Sequence, residues 1–61
     1  MENNDIFNKS YELIKINFTD REVTYSNVHI SLHHNSLIIT DNMRKEAIFH
    51  NISTIKKIKI N

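Results

Sequence analysis

Neither glycine nor proline occurs anywhere in this 61-residue chain. Average usage of about 7% and 5% would supply roughly four and three of them. The fold thus has no residue that enters left-handed backbone freely and none that pre-sets a turn. Asn and Asp must make the reversals instead, because their short side chains bond local backbone and Asn tolerates left-handed dihedrals. Walker loops, dinucleotide fingerprints and kinase-type glycine loops are excluded, since each needs glycine where the backbone passes close to a phosphate. An EF-hand is excluded by the same lack of a glycine at its sharp turn. Cysteine is absent as well. That removes disulfides, thiolate zinc sites, iron–sulfur clusters and cysteine nucleophiles.

A chain this short fills one core, so residues 1–61 are expected to form a single domain. Typical stability for this length is roughly 3–9 kcal/mol, and about 60% of the unfolded surface is buried. Folding must come from apolar burial alone or with help from a partner or another copy. No segment approaches the roughly 20 apolar residues that span a bilayer. The opening Met1-Glu2-Asn3-Asn4-Asp5 is polar and acidic, the reverse of a signal peptide. A cytoplasmic location and no membrane contact are the expectation. Ile, Asn and Lys make up 26 residues, and their A- and T-rich codons fit an AT-rich bacterial, phage or mobile-element source.

Seventeen residues are Ile, Val or Thr, an enrichment that favours strands. In Val28-His29-Ile30-Ser31-Leu32-His33-His34 the apolar residues alternate with polar ones, the pattern of a half-buried strand. Ile14, Ile16 and Phe18 alternate with Lys15 and Asn17 as an earlier strand, and Thr19-Asp20 follows as a turn. Val23 and Tyr25 then start a strand in odd phase, whereas Val28, Ile30 and Leu32 are in even phase. A bulge or bend near Ser26-Asn27 must change the phase and lets one long strand curve. Asn35-Ser36 and Asp41-Asn42 are turn signals flanking a strand over Leu37-Ile38-Ile39-Thr40. Ala47-Ile48-Phe49 reads as a fourth strand, with Phe49, like Tyr25, as core. Ile52 and Ile55, three apart, suit one tight helical turn; Ile58 and Ile60 alternate with Lys57 and Lys59 as a last edge strand, whose lysines discourage aggregation.

Two segments carry a competing pattern. Phe7, Tyr11, Ile14 and Phe18 fall at helical spacings, so a short N-terminal helix is expected over about residues 5–10, capped by Asn4 or Asp5. Residues 43–58 also contain a stripe in Ile48, Ile52 and Ile55. That stripe leaves an alternative α+β fold, a three-stranded meander plus a C-terminal helix; Ile is a mediocre helix former, and strand is favoured. The expected fold is mainly β: residues 1–10 as an arm or short helix, then a β core over 11–61. The core is a small antiparallel five-strand barrel or strongly curved sheet, on the plan of SH3-like and Sm-like barrels.

The segment Phe49-His50-Asn51-Ile52-Ser53-Thr54-Ile55 resembles the end of the second Sm motif in bacterial Hfq-type RNA chaperones. It covers about seven residues. Tyr25, Ser26 and Asn27 stand where that family has a glycine in its long second strand, and the family's basic His pair is matched only through His50. The resemblance implies a shared architecture, and architecture does not fix function.

Catalysis is not expected. Without glycine there is no strained nucleophile elbow or oxyanion loop, and so short a chain scarcely builds the ~300 Å³ pocket typical of ligand sites. No cofactor or metal is expected either: His29 and His33 lie about 13 Å apart along a strand, too far to share one ion. Charge is more suggestive. Residues 1–42 carry three cations against six anions and residues 43–61 five cations against one, for a total of +1. Either strands of the two halves pair and neutralise each other, or the basic C-terminal strand meets nucleic-acid phosphates, or an edge or face meets a protein by strand addition. The candidate partner surface is Lys56, Lys57 and Lys59, with Arg44 and Lys45, and the His29, Ser31 and His33 face. A non-enzymatic protein acting through protein–protein contacts, as a homo-oligomer or a stoichiometric inhibitor or adaptor, ranks first. Nucleic-acid binding through the basic C-terminal strand ranks second.

Overall fold

A computed structural model describes residues 6–60. Five antiparallel strands form one sheet: β1 (Lys9–Phe18), β2 (Glu22–His33), β3 (Ser36–Asp41), β4 (Glu46–Asn51) and β5 (Ile55–Ile60), with a single 3₁₀ turn (Ile52–Thr54) between the last two. Their order across the sheet is β4-β3-β2-β1-β5. The chain is mainly β, as expected. The sheet stays open instead of closing into a barrel, and among the described residues β4 and β5 each pair on one side only. The alternative with a C-terminal helix is overturned, because residues 46–60 form β4, the brief 3₁₀ turn and β5. Of the short helix expected over about residues 5–10, the described residues keep only Ile6 in a 3₁₀ conformation; residues 7–8 bend into the sheet, and Lys9 and Ser10 already belong to β1. Asn4 and Asp5, its expected caps, lie outside the described residues.

The misleading helical spacing has a physical origin in the sheet itself. In β1 the inward residue changes from Tyr11 to Ile14, and opposite it in β2 from Val28 to Tyr25. Each strand therefore inserts one extra residue into its alternation at the same level, and the paired residues Tyr11↔Val28 and Ile14↔Tyr25 still share a face. Asn27 makes the change in β2 with φ 56°, a conformation that normally calls for glycine and that Asn tolerates best among the alternatives. Its carbonyl accepts from Asn42 N–H at 3.0 Å, so the kink is tied to the next turn.

The kink curls the sheet round a core of Ile14, Ile16, Phe18, Val28, Ile30, Leu37 and Ile39. Neighbouring strands sit about 4.8 Å apart, so on a flat sheet β1 and β4 would be separated by roughly 14 Å. Instead the rings of Phe18 on β1 and His50 on β4 lie 4.6 Å apart between centroids. The described chain measures 27 × 26 × 23 Å along its principal axes, which no flat sheet would give.

Asn and Asp make only part of the reversals: among the described residues left-handed backbone falls on Asn8 and Asn27 and, against expectation, also on His34 and Lys45. Between β2 and β3 a two-residue loop carries His34 at φ 56°; the turn is His34-Asn35, one residue earlier than expected, and Ser36 starts β3. Between β3 and β4 the Asp41 carboxylate accepts from Met43 N–H at 2.9 Å and Arg44 N–H at 3.1 Å. The loop ends on Lys45 at φ 62°. Asn51 caps the 3₁₀ turn: its side-chain oxygen accepts from Ser53 N–H at 2.9 Å and Ser53 Oγ at 2.8 Å, and its carbonyl accepts from Thr54 Oγ1 at 2.7 Å.

Candidate partner surfaces

The register decides where the basic residues go. β5 runs against β1 with Ile60, Ile58 and Ile55 opposite Ile14, Ile16 and Phe18. Those isoleucines face inward, and Lys57 and Lys59 face outward. Lys56 is the extra residue of a bulge, which explains why Ile55 and Ile58 share a face although three apart. Lys59 lies directly opposite Lys15, and Lys57 opposite Asn17. The expected neutralisation between halves of the chain therefore fails here: like meets like, and at the other edge Glu46 lies opposite Asp41. Lys15, Lys57 and Lys59 make one basic outward patch. Lys15 was not among the residues singled out from sequence; only the strand pairing reveals it.

Arg44 and Lys45 do not join this patch. They sit in the turn leading into β4, on the opposite edge strand of the sheet from β5. The His29 and Ser31 side chains do share a face, and pairing adds to it residues that the sequence did not mark. His29 stands beside Ser10, with Nδ1 3.2 Å from Ser10 Oγ, and opposite Thr40. Ser31 is in one row with Ile38 and Phe49. His33 lies at the strand end, its ring edge-on to His34 with centroids 4.3 Å apart. Among the described residues no group of three His, Asp or Glu side chains gathers as metal ligands would.

β4 is the surface that sequence reasoning missed. Phe49, expected in the core, is 65% exposed, and Ile48 on the opposite face of the same strand is 46% exposed. Ile48 is opposite the buried Ile39 and faces inward, but β4 is the last strand and nothing among the described residues lies beyond it. Phe49 is opposite Ile38 and faces outward. From β4's own start, Glu46-Ala47-Ile48-Phe49-His50-Asn51, no lysine and no bulge blunts this edge. Such an edge offers a row of main-chain donors and acceptors to another strand. No signal in the composition could have marked it, because edge status belongs to topology.

Two concavities flank the sheet, and both reach the size that so short a chain is expected scarcely to build. One groove of about 400 Å³ runs along β5, lined by Ile6, Ile55, Lys56, Lys57 and Ile58; Ile6 is held there by its carbonyl, which accepts from Tyr11 Oη at 2.7 Å. The other, about 300 Å³, is lined by Phe18, Thr19, Asp20, Arg21, His50 and Thr54. There the Arg21 guanidinium lies 5.6 Å from the Phe18 ring centre, and Tyr25 Oη stands 3.5 Å from His50 Nε2. Burial pushes the Tyr25 phenol above its usual range, and the Arg21 charge pulls it partly back.

Compared with known protein families, curated proteins and solved structures, the chain matches none. No helix among the described residues is long and apolar enough to cross a membrane.

Proposed function

We propose that this is a non-enzymatic binding protein that acts through protein–protein contacts at its β4 edge, in the first instance with copies of itself. The observation that supports this reading is the unprotected edge: a six-residue strand with its outer main-chain groups free of any described partner strand, and with Ile48 and Phe49 exposed on its two faces. Exposed apolar side chains on both faces of an edge strand are what strand addition uses, main-chain bonds giving affinity and alternate side chains giving specificity. The finer architecture belongs to the same proposal. A meander in which β5 returns to pair with β1 after a 3₁₀ turn supports kinship of plan with SH3-like and Sm-like small barrels.

Light scattering on the eluting peak of a sizing column tests this. A mass above the 7.3 kDa of one copy, reduced to one copy by Phe49→Lys with the β circular-dichroism spectrum intact, is the expected result. A single-copy mass for the parent chain at every concentration overturns self-association, and the absence of any Phe49→Lys effect on an oligomer overturns the role of β4.

A second reading has its own observation. Lys15, Lys57 and Lys59 form a like-charged outward patch without a described acidic partner opposite them, and a polyanion would relieve their mutual repulsion. On this reading, single-stranded RNA or duplex DNA binds at low salt, and replacing the three with Gln flattens the salt dependence. No binding at low salt ends it.

A further inference from the structure

We propose that β4 pairs antiparallel with β4 of a second copy about a two-fold axis that passes through Ile48. This rests on the reading of β4 as the binding edge and adds the partner, the symmetry and the register.

The partner follows from charge and from the regularity of the strand. Pairing β5 with β5 of another copy would bring Lys56, Lys57 and Lys59 of both chains into one ladder. Pairing β4 with β5 of another copy would set one acid, Glu46, against three lysines and lay a regular strand on one interrupted by the bulge at Lys56, the features that blunt an edge. β4 against β4 meets neither the lysine excess nor the bulge. An antiparallel two-fold carries the two Arg44-Lys45 turns to opposite ends, and a self-complementary patch closes as a dimer instead of growing into a filament.

The register follows from the pleat. Residues opposite one another in an antiparallel pair share a face, and a slip of one residue would lay the concave side of one sheet against the convex side of the other. Ile48 faces the concave side with Ile39, and Phe49 the convex side with Ile38. Two in-phase registers centre on this strand. Each pairs five residues of both chains within β4, 47–51 with the axis at Phe49 and 46–50 with the axis at Ile48, so the side-chain pairs decide. The axis at Phe49 would set Ile48 opposite His50 and Ala47 opposite Asn51; the axis at Ile48 gives better matches. Ile48 then meets Ile48 on the concave side, Phe49 packs over the small Ala47 of the second copy on the convex side, and Glu46 lies opposite His50. A large residue over a small one and an acid opposite an imidazole are the complementary choices. Each copy contributes both halves of each pair, as a two-fold interface must.

The absence of cysteine makes the test direct, because an introduced thiol can link only to its own copy in the partner. Directly opposite Cβ atoms in a sheet are about 4.5–5.5 Å apart and diagonal ones roughly 7–8 Å, whereas a disulfide needs about 3.5–4.5 Å. Under mild oxidation Ile48→Cys is expected to convert most of the protein to a covalent dimer. Phe49→Cys and Lys57→Cys should each link several-fold less. The double variant Ala47→Cys/Phe49→Cys reaches the same axis by a second route and should also cross-link, which keeps the test intact should Ile48→Cys fold poorly. Faster linkage of Phe49→Cys alone overturns the register. Linkage of Lys57→Cys with none at β4 overturns the two-fold. Sedimentation of the parent chain separates the two levels: one copy at all concentrations removes the binding reading itself, whereas an oligomer without Ile48→Cys linkage removes only this pairing.

Discussion

The two edges of this sheet are built from similar material and treated in opposite ways. Both β4 and β5 are six residues long; β4 sets Ile48 opposite the buried Ile39, and β5 sets Ile58 and Ile60 opposite the buried Ile16 and Ile14. Ile58 on β5 is half-buried and packs against the core, where Phe7 also packs, while Ile6 lines the groove beside it. Its strand carries three lysines and a bulge at Lys56. Ile48 on β4 has no such cover, its neighbour Phe49 is turned out, and the strand after Glu46 carries no lysine, arginine or acid. The contrast teaches that edge protection is allotted by strand and not by composition: one edge is defended against pairing and the other is left available for it.

The sharpest way to break this comparison is to truncate matched isoleucines on and beneath the edges. Ile16→Ala removes a side chain with no exposed surface and should cost about 2–5 kcal/mol, enough to unfold much of a chain whose total is roughly 3–9 kcal/mol. Ile48→Ala, measured by urea melts at dilution, should cost no more than about 0.5 kcal/mol, as exposed positions do. Equal losses would mean that β4 is covered.

Next in size is the junction that turns the chain from one edge to the other. Asn51→Ala removes the acceptor for Ser53 N–H and Ser53 Oγ and should cost about 0.5–2 kcal/mol by the same melts, the range for lost caps. A cost near zero would show that β5 is positioned without the 3₁₀ turn.

Two smaller effects sharpen the picture at each edge. Lys45 enters β4 with φ 62°, a left-handed conformation that costs an ordinary residue about 1–2 kcal/mol. Lys45→Gly should therefore raise the stability measured by urea melts, by up to about 1 kcal/mol once the entropy of glycine is subtracted; a loss would show that the lysine side chain itself holds the turn. At the other edge, Lys59→Glu turns a repelling pair with Lys15 into an attracting one. It should add about 0.2–1 kcal/mol at low salt and little in 1 M salt, where the Debye length is about 3 Å. A gain that ignores salt would not come from that pair.

Much of this fold can be read in the residues. The alternation of Val28 and Ile30, the turn at Thr19-Asp20, the tight turn after Asn51 and the phase change near Asn27 all follow from local pattern, and each is found where expected. The errors share one cause. A kink that inserts a residue into each of two strands converts a spacing of two into one of three, so Tyr11 and Ile14 mimic a helix while lying in β1. Phe49 reads as core because its side chain is apolar, yet its fate depends on which strand is last in the sheet. The meeting of Lys15 with Lys59 likewise requires the register between distant strands. Local chemistry sets strands and turns; strand order decides which of their side chains remain uncovered.

Amide hydrogen exchange at two protein concentrations tests the central claim most directly. The account requires that outward-facing amides of β4, from Ala47 to His50, exchange several-fold more slowly in concentrated than in dilute solution, while those on the outer side of β5 stay unchanged. Slowing confined to β5, or none at either margin, would contradict it.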